Sequence, residues 1–310
     1  RTVPAYIELE ATKRCNLKCV FCPHTIRAAR GAGVGDDRSG DMTESLFRKI
    51  IEETDALAPE AAISVGGFGE PLLVAGAADW ILAAAKKYPE HLFFLETNGY
   101  YLDRALGERV AREGLSNFIL VVSLDAVRPD VYRDLKGFDI LENIEAKYRE
   151  YVAAIMAPPD GGAPASVREF PALTSEPLSP AYASMVKMKE TYDDVPGFFK
   201  RWTTGGSDFI VNKHSTFGGL DADRRLSDGS PLDRFPCYHL ERDVFIESNG
   251  DVSLCRQDLA HSRSLGNIAR DGLKSIWEKG GEGYRTHCGG KNFDGIPLCE
   301  KCDEWYVVNY

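Results

Sequence analysis

Ala11-Thr12-Lys13-Arg14-Cys15-Asn16-Leu17-Lys18-Cys19-Val20-Phe21-Cys22-Pro23-His24-Thr25 sets three cysteines at C-x3-C-x2-C spacing in one short stretch. It follows directly on the apolar alternation of Ala5-Tyr6-Ile7-Glu8-Leu9, which reads as a strand. A loop leaving a strand end can fold three thiolates around one metal centre. The ligand count then matters more than the proximity. A [4Fe–4S] cube has four irons and normally takes four Cys ligands, so three leave one iron open. A tetrahedral zinc would want a fourth ligand, and His24 is the local candidate. Thiolate softness and the count favour the cube over the zinc.

The triplet resembles the signature of the radical S-adenosylmethionine (SAM) superfamily. There the open iron chelates SAM through its amino and carboxylate groups. An electron from the cluster then cleaves SAM to a 5′-deoxyadenosyl radical. Phe21, the aromatic just before the third cysteine, is similar to a family position that packs near the adenine.

Beyond the triplet, Gly31 to Asp41 is rich in glycine and charge and reads as a loop. A helix opens at Asp41-Met42-Thr43-Glu44, with Thr43 or Asp41 as N-cap and Leu46, Ile50, Ile51 and Leu57 on one face. Strands are expected at 61–65, 91–96, 117–124, 183–188 and 208–212, and helices at 75–87, 102–113 and 195–202. Such alternation predicts βαβ units and a parallel sheet, with chemistry at the strands' C-terminal ends. The fold class is therefore α/β, and the family resemblance sharpens it to a partial (β/α)6 TIM-like barrel over residues 1–220. Residues 156–181 carry a cluster of chain breakers and read as an inserted loop, a candidate lid.

Several strand ends carry polar or glycine-rich motifs. Gly66-Gly67-Phe68-Gly69-Glu70-Pro71 ends the second strand, and glycines there let a ligand approach the backbone closely. It resembles the family segment that binds the SAM amino group. Thr97-Asn98-Gly99 ends the third strand, and Asn98 suits a turn equally well. Ser123 and Asp125 end the fourth and share a side by period-two alternation, with a helix N-cap as the other role for Asp125. They could bond the ribose or the SAM carboxylate and ammonium. Lys136-Gly137 and Lys187 are further carboxylate partners for SAM.

A second cysteine set lies near the end. Cys237 and Cys255 stand in a C-x12-G-x4-C pattern, and Cys299 and Cys302 add C-x2-C. Alternating runs at 243–247 and 252–254 flank Asn249-Gly250, a hairpin signal. Four thiolates can close the coordination of an iron–sulfur cluster or of zinc. The arrangement resembles the twitch domain, a shortened SPASM domain holding one auxiliary [4Fe–4S] cluster. Residues 221–310 are assigned to it, as a small β-hairpin plus helix domain. Phe235-Pro236-Cys237-Tyr238-His239-Leu240 and Leu254-Cys255-Arg256-Gln257-Asp258 also resemble a SPASM-type subfamily of spirochaetes. Cys288 is left over, either a buried inert thiol or, as in related sugar epimerases, a hydrogen donor to a substrate radical.

Composition bounds the alternatives. A net charge of −10 disfavours a broad phosphate-tracking surface, so a nucleic acid is not the expected partner. No run of about 18 apolar residues is present, so no membrane partner is expected. Eight cysteines, seven of them at ligand spacings, point to a reducing compartment, hence the cytoplasm. The chain opens at Arg1 without a Met, which leaves room for an upstream domain. The resemblance implies a SAM-cleaving enzyme, an oxidoreductase or epimerase of a carbohydrate-like or peptide substrate, served by a flavodoxin- or ferredoxin-type electron donor. Glu190, Asn212, Lys213, Arg256 and Asp258, at strand ends or beside Cys255, are the candidate substrate contacts. The rival readings are a methylthiotransferase or tRNA-modifying member of the same superfamily, and a non-catalytic zinc-stabilised binding module.

Overall fold

The computed structural model of the protein describes residues 2–29, 40–158, 161–171, 173–174, 177–203, 207–289, 293 and 296–307. Most of the expected glycine-rich loop after the triplet lies outside them. Strand β1 (Tyr6–Leu9) is buried along its length and pairs parallel with β2 (Ala62–Val65). Strands β3 (Leu92–Thr97), β4 (Phe118–Ser123), β5 (Ala181–Lys187) and β6 (Asp208–Lys213) continue the parallel series. All six strands expected for the barrel are present, and the sheet stays open.

Helices connect them: α1 (Pro23–Ala29) and α2 (Glu44–Leu57), then α3 (Ala77–Lys87), α4 (Arg104–Glu113), α5 (Pro129–Lys136), α6 (Leu141–Met156) and α7 (Val195–Trp202). Thr43 caps α2 by accepting from the Leu46 amide at 3.2 Å, which settles the cap in its favour. Alternation divides the strand side chains between two layers. Ile7, Leu9, Ile63, Val65, Phe93, Leu95, Leu120 and Val122 pack outward against Ile50, Ile51, Ile81, Leu82 and Ile144 of the helices. The inner face is mixed. Its register sets Glu8 against Ser64, Glu96 against Val121, Ser123 against Ser184 and Val186 against Asn212. A polar inner face cannot be a core, so it must line a cavity or meet a ligand.

The described residues between 161 and 180 pack at the N-terminal end of the strands, the end opposite the triplet. Phe170 is buried among Tyr6, Ala62, Leu92, Phe94, Ile119 and Val121, toward the N-terminal ends of the strands. The Arg168 amide donates to the Ser116 carbonyl at 2.8 Å, and its guanidinium reaches the Pro89 carbonyl. An apolar inner floor at that end needs covering, and Val167, Phe170, Leu173 and Leu178 cover it.

The C-terminal region adds a seventh parallel strand. Strand β7 (Asp243–Ile246) pairs with β1, and β8 (Asp251–Ser253) and β9 (Ser264–Asn267) follow antiparallel. The order is β6-β5-β4-β3-β2-β1-β7-β8-β9, one sheet continuous across the expected domain boundary. Gly250 adopts φ +85°, as the Asn-Gly turn requires. Helices α8 (Tyr238–Arg242), α9 (Ile268–Asp271), α10 (Leu273–Cys288) and α11 (Pro297–Glu300) complete the described chain. Among the described residues no helix is long and apolar enough to cross a membrane.

Candidate active site

The cysteine loop is held from two sides. Lys18 and Val20 amides donate to the Lys136 and Leu135 carbonyls at the end of α5. From the other side, the Glu70 amide donates to the Arg14 carbonyl at 2.8 Å. A Cβ on Gly69 would lie 1.7 Å from the Thr12 carbonyl oxygen, so this glycine is required by the loop's own backbone. Gly66 packs on Glu96 and is not part of the cavity wall.

Glu70 joins these parts. Its buried carboxylate accepts from Thr97 Oγ1 (2.7 Å), the Asn98 amide (2.8 Å) and the Leu72 amide (3.0 Å). Burial raises its pKa, against the pull of these donors. Asn98 in turn donates Nδ2 to Asn16 Oδ1 at 2.9 Å and stands 3.7 Å from Cys15 Sγ. The ends of β2 and β3 are thereby tied to the first cysteine.

A cavity of about 310 Å³ opens above the sheet's inner face. Its wall includes Cys15, Cys19, Cys22, Phe21, Gly67, Gly69, Glu70, Thr97, Asn98 and Ser123, with Asn212, Lys213 and Arg256 on the far side. The expected SAM and substrate contacts largely share this one chamber. Asp125 does not face it. Its backbone is left-handed (φ +62°), and its carboxylate stays beside Ser123 while turning from the chamber to Lys136. Its fully buried carboxylate forms an ion pair with Lys136 and accepts from Ser123 Oγ (2.8 Å) and the Val186 amide (2.7 Å). Burial pulls the Lys136 ammonium down, and Asp125, Cys19 and Tyr132 outweigh it, so its pKa rises.

Other expectations are corrected. Val186 lines the chamber, so alternation turns Lys187 to the opposite side, where it is exposed. Glu190 is exposed and pairs with Arg224 at 2.6 Å. Asp258 is buried and accepts from the Ser262 and Arg263 amides at 2.9 Å, which makes it a loop brace. Cys288 is exposed at the end of α10 and is outside the wall, against both roles expected for it.

The inner face also contributes residues that sequence reasoning missed. Glu96 accepts from Ser64 Oγ (2.5 Å) and Tyr6 OH (3.4 Å) while facing the chamber. Arg256 stacks 4.8 Å from the Phe68 ring centroid and stands 3.3 Å from buried Glu8. Burial pushes the Glu8 carboxyl up to about 7, opposed by Arg256 and reinforced by Glu96 and Asp243. His239 lines the wall, with Nδ1 2.6 Å from Asp243 Oδ2 and Nε2 buried without a hydrogen-bond partner among the described residues. Charged residues at alternate positions of an otherwise apolar strand, Glu8 and Glu96 above all, were the available signal.

The second cysteine set is more deeply buried. Burial, with Cys302 and Cys299 close by, pushes the Cys237 thiol up to about 12. Cys255 rises well above its ordinary value for the same reasons, with the other three thiols all acting on it. Crowded thiols raised by burial suit a group that supplies positive charge and takes them as thiolates. Among the described residues no three His, Cys, Asp or Glu side chains close to single-metal-ion distances. The cluster assignment therefore rests on donor type, ligand count and kinship.

That kinship is direct. The family model described as the radical SAM superfamily matches residues 9–155, and the SPASM iron–sulfur cluster-binding domain matches 237–303. An uncharacterized protein of Treponema pallidum is 28% identical over all of this chain and 81% of its own length. The S-adenosyl-L-methionine-dependent 2-deoxy-scyllo-inosamine dehydrogenase of Niallia circulans is 25% identical over 43% of this chain and 51% of its own. Only about half of that enzyme's length is thus matched. Among solved structures, BtrN in complex with AdoMet and 2-DOIA superposes with TM-score 0.57 at 17% identity, covering 99% and 98% of the two chains. Streptococcus suis SuiB superposes with TM-score 0.65 at 13% identity, covering 97% and 71%. At such identities these structures speak for the fold alone.

Proposed function

We propose, for a chain that belongs to the radical SAM superfamily and carries a C-terminal iron–sulfur cluster-binding (SPASM) domain, that it oxidises a small polyhydroxylated substrate. When bound, SAM and the first cluster supply hydrogen-atom abstraction from a C–H bond, and an auxiliary cluster supplies a sink for one electron. The chain's own residues hold and orient. Cys15, Cys19 and Cys22 take the first cluster, and Cys237, Cys255, Cys299 and Cys302 the second. Phe21, Gly67, Gly69, Thr97, Asn98 and Ser123 form the SAM side of the chamber, with Glu70 bracing it.

The observation carrying this reading is that Arg256 and Gln257, next in the chain to Cys255, line the same cavity as the triplet. A substrate there would lie between the two cysteine sets. On that side Glu96 offers an acceptor, Arg256 and Lys213 offer donors, and Asn212 offers both, a mixture suited to several hydroxyl groups. Oxidation is favoured over epimerisation because Cys288 stands outside the wall. Holding the reacting C–H bond in place would be the protein's largest contribution to rate.

The test is anaerobic reconstitution with dithionite, SAM and two substrate panels. One contains polyols and amino-polyols, including 2-deoxy-scyllo-inosamine, and the other short peptides. The expected result is one 5′-deoxyadenosine per two-electron-oxidised polyol, with deuterium carried from the substrate carbon. Turnover confined to peptides would overturn the substrate class, and absence of iron with zinc bound would overturn the chemistry.

A further inference from the structure

The inner face of β3 carries a carboxylate whose two oxygens are used unequally. Glu96 Oε1 accepts from both Ser64 Oγ (2.5 Å) and Tyr6 OH (3.4 Å), and among the described residues no donor stands on Oε2. The stem is fixed as well, because Gly66 lies so close that a Cβ there would be 2.7 Å from the Glu96 Cβ. Glu96 is half-buried and lines the chamber. Two positions further along the chain, Asn98 donates to Asn16 and reaches Cys15. Two residues of strand span about 6.6 Å, so Glu96 lies one step in from the SAM side. The charges facing it from neighbouring elements are Glu8 on β1 and Arg256 beside Cys255.

Among the described residues, no other carboxylate or imidazole of the wall is as free. Glu70 has both oxygens taken, by Thr97, Asn98 and Leu72. Glu304 is neutralised by Lys213, His24 stands 3.4 Å from Glu10, and His214 stands 2.9 Å from Asp221. His239 meets Asp243 with one nitrogen, and the other is buried. Burial pushes Glu8 up to about 7, so less than a full second negative charge stands beside Glu96 at neutral pH.

We infer that Glu96 is a catalytic base, its Oε2 accepting the proton of the substrate hydroxyl whose carbon is oxidised. This role rests on the function proposed above. The carbinol carbon first loses its hydrogen atom to the radical that bound SAM supplies. The O–H bond then breaks, its proton passing to Glu96 and its electron pair staying to form the second C–O bond. The carbon's unpaired electron leaves to the oxidised auxiliary cluster, which is reduced by one electron. A deprotonated ketyl radical gives up that electron far more readily than the neutral one, so a base at the hydroxyl speeds the step. A carboxylate with one oxygen anchored and the other open to the chamber is built for that transfer.

The test compares the reconstituted full chain with Glu96→Gln and Glu96→Asp, using ring-deuterated 2-deoxy-scyllo-inosamine as probe. Calorimetry reads probe binding to the SAM-loaded chain before any reductant is added. Turnover is read as ketone and 5′-deoxyadenosine, and trapped radicals by electron paramagnetic resonance. Glu96→Gln can still accept from Ser64 and Tyr6, and it should bind the probe within roughly tenfold, the worth of one hydrogen bond. It should still release deuterated 5′-deoxyadenosine, while ketone per 5′-deoxyadenosine falls on the order of 100-fold. A carbon-centred substrate radical should then become visible. Glu96→Asp, a carboxylate one methylene shorter, should give a ketone ratio between the two. An unchanged ratio in Glu96→Gln would overturn the role. So would a loss of probe binding as large as the loss of ketone, which would leave Glu96 a holding group only. Failure of the functional reading looks different: the unsubstituted chain would neither bind nor oxidise the probe, and the base would fall with it.

Discussion

The two cysteine sets solve opposite problems. The first is local, three thiols within eight residues on a loop, with one of them exposed at the mouth of a chamber. The second draws on three separated segments, and two of its thiols, Cys237 and Cys299, are buried. A site that must admit SAM and an electron cannot be closed. A site that only holds a cluster gains from burial and a full ligand count. The loop of the first set has little internal order of its own, so α5, Glu70 and Gly69 hold it from outside. The second set needs no such bracing, because β7 and β8 are part of the main sheet.

Removing one ligand from each set tests the contrast most strongly. In Cys15→Ala, iron should fall from about eight to about four per chain and SAM cleavage should vanish. In Cys299→Ala, iron should fall equally while SAM cleavage persists and oxidised product is lost. Iron analysis and 5′-deoxyadenosine quantitation separate the two. If both variants lose SAM cleavage alike, the division of labour is wrong. The second variant should also unfold earlier, because metal binding there is coupled to folding of the terminal segments.

The bracing of the open site comes next in size. Lys136 and Asp125 are both almost wholly buried and paired. Lys136→Met leaves the Asp125 carboxylate buried without its cation, which should cost roughly 3–5 kcal/mol of stability. Asp125→Asn/Lys136→Met together should recover part of that loss, since no lone charge remains. Denaturant unfolding of the chain checks both. Additive losses would mean that the pair is not the brace.

Local patterns made the first set and the six strands legible. Cysteine spacing, apolar alternation and the Asn-Gly turn are all encoded within a few residues of where they act. Tertiary placement was less legible. Period-two alternation put Asp125 beside Ser123, where it is, but it gave no sign that Lys136 would draw the carboxylate out of the chamber wall. The run of prolines and glycines at 157–164 marks a break, but it does not say which end of the barrel the segment covers. The pairing of β7 with β1 is non-local and left no mark in either strand. Buried Glu8 was readable only as an oddity, a charge inside a strand, until Arg256 was seen beside it.

Glu8 gives a smaller effect with a definite sign. Its carboxyl lies at about 7, above its ordinary value, with burial as the leading cause and Arg256, Glu96, Asp243 and His239 as the facing charges. The folded state therefore holds a proton that the unfolded state has released, between roughly pH 4.5 and 7. This contribution to stability is complete below that window and is lost as pH rises through it. Its ceiling is roughly 3 kcal/mol. Glu8→Gln should flatten the decline over that window. Unfolding free energies at pH 5, 6, 7 and 8 decide the matter, and an unchanged slope would show that Arg256 keeps Glu8 ionised.

Cys288 should matter least, and that expectation is informative. It is the one thiol outside both sets, and a hydrogen donor would have to face the chamber. Its position at the exposed end of α10 instead predicts that Cys288→Ala changes stability by no more than about 0.5 kcal/mol. Product stereochemistry and the ratio of oxidised product to 5′-deoxyadenosine should be unchanged as well. If the substitution diverts turnover from an inverted product to an oxidised one, the thiol does reach the substrate. The C-terminal end of α10 would then have to move toward the chamber during turnover, and the oxidation reading would give way to epimerisation.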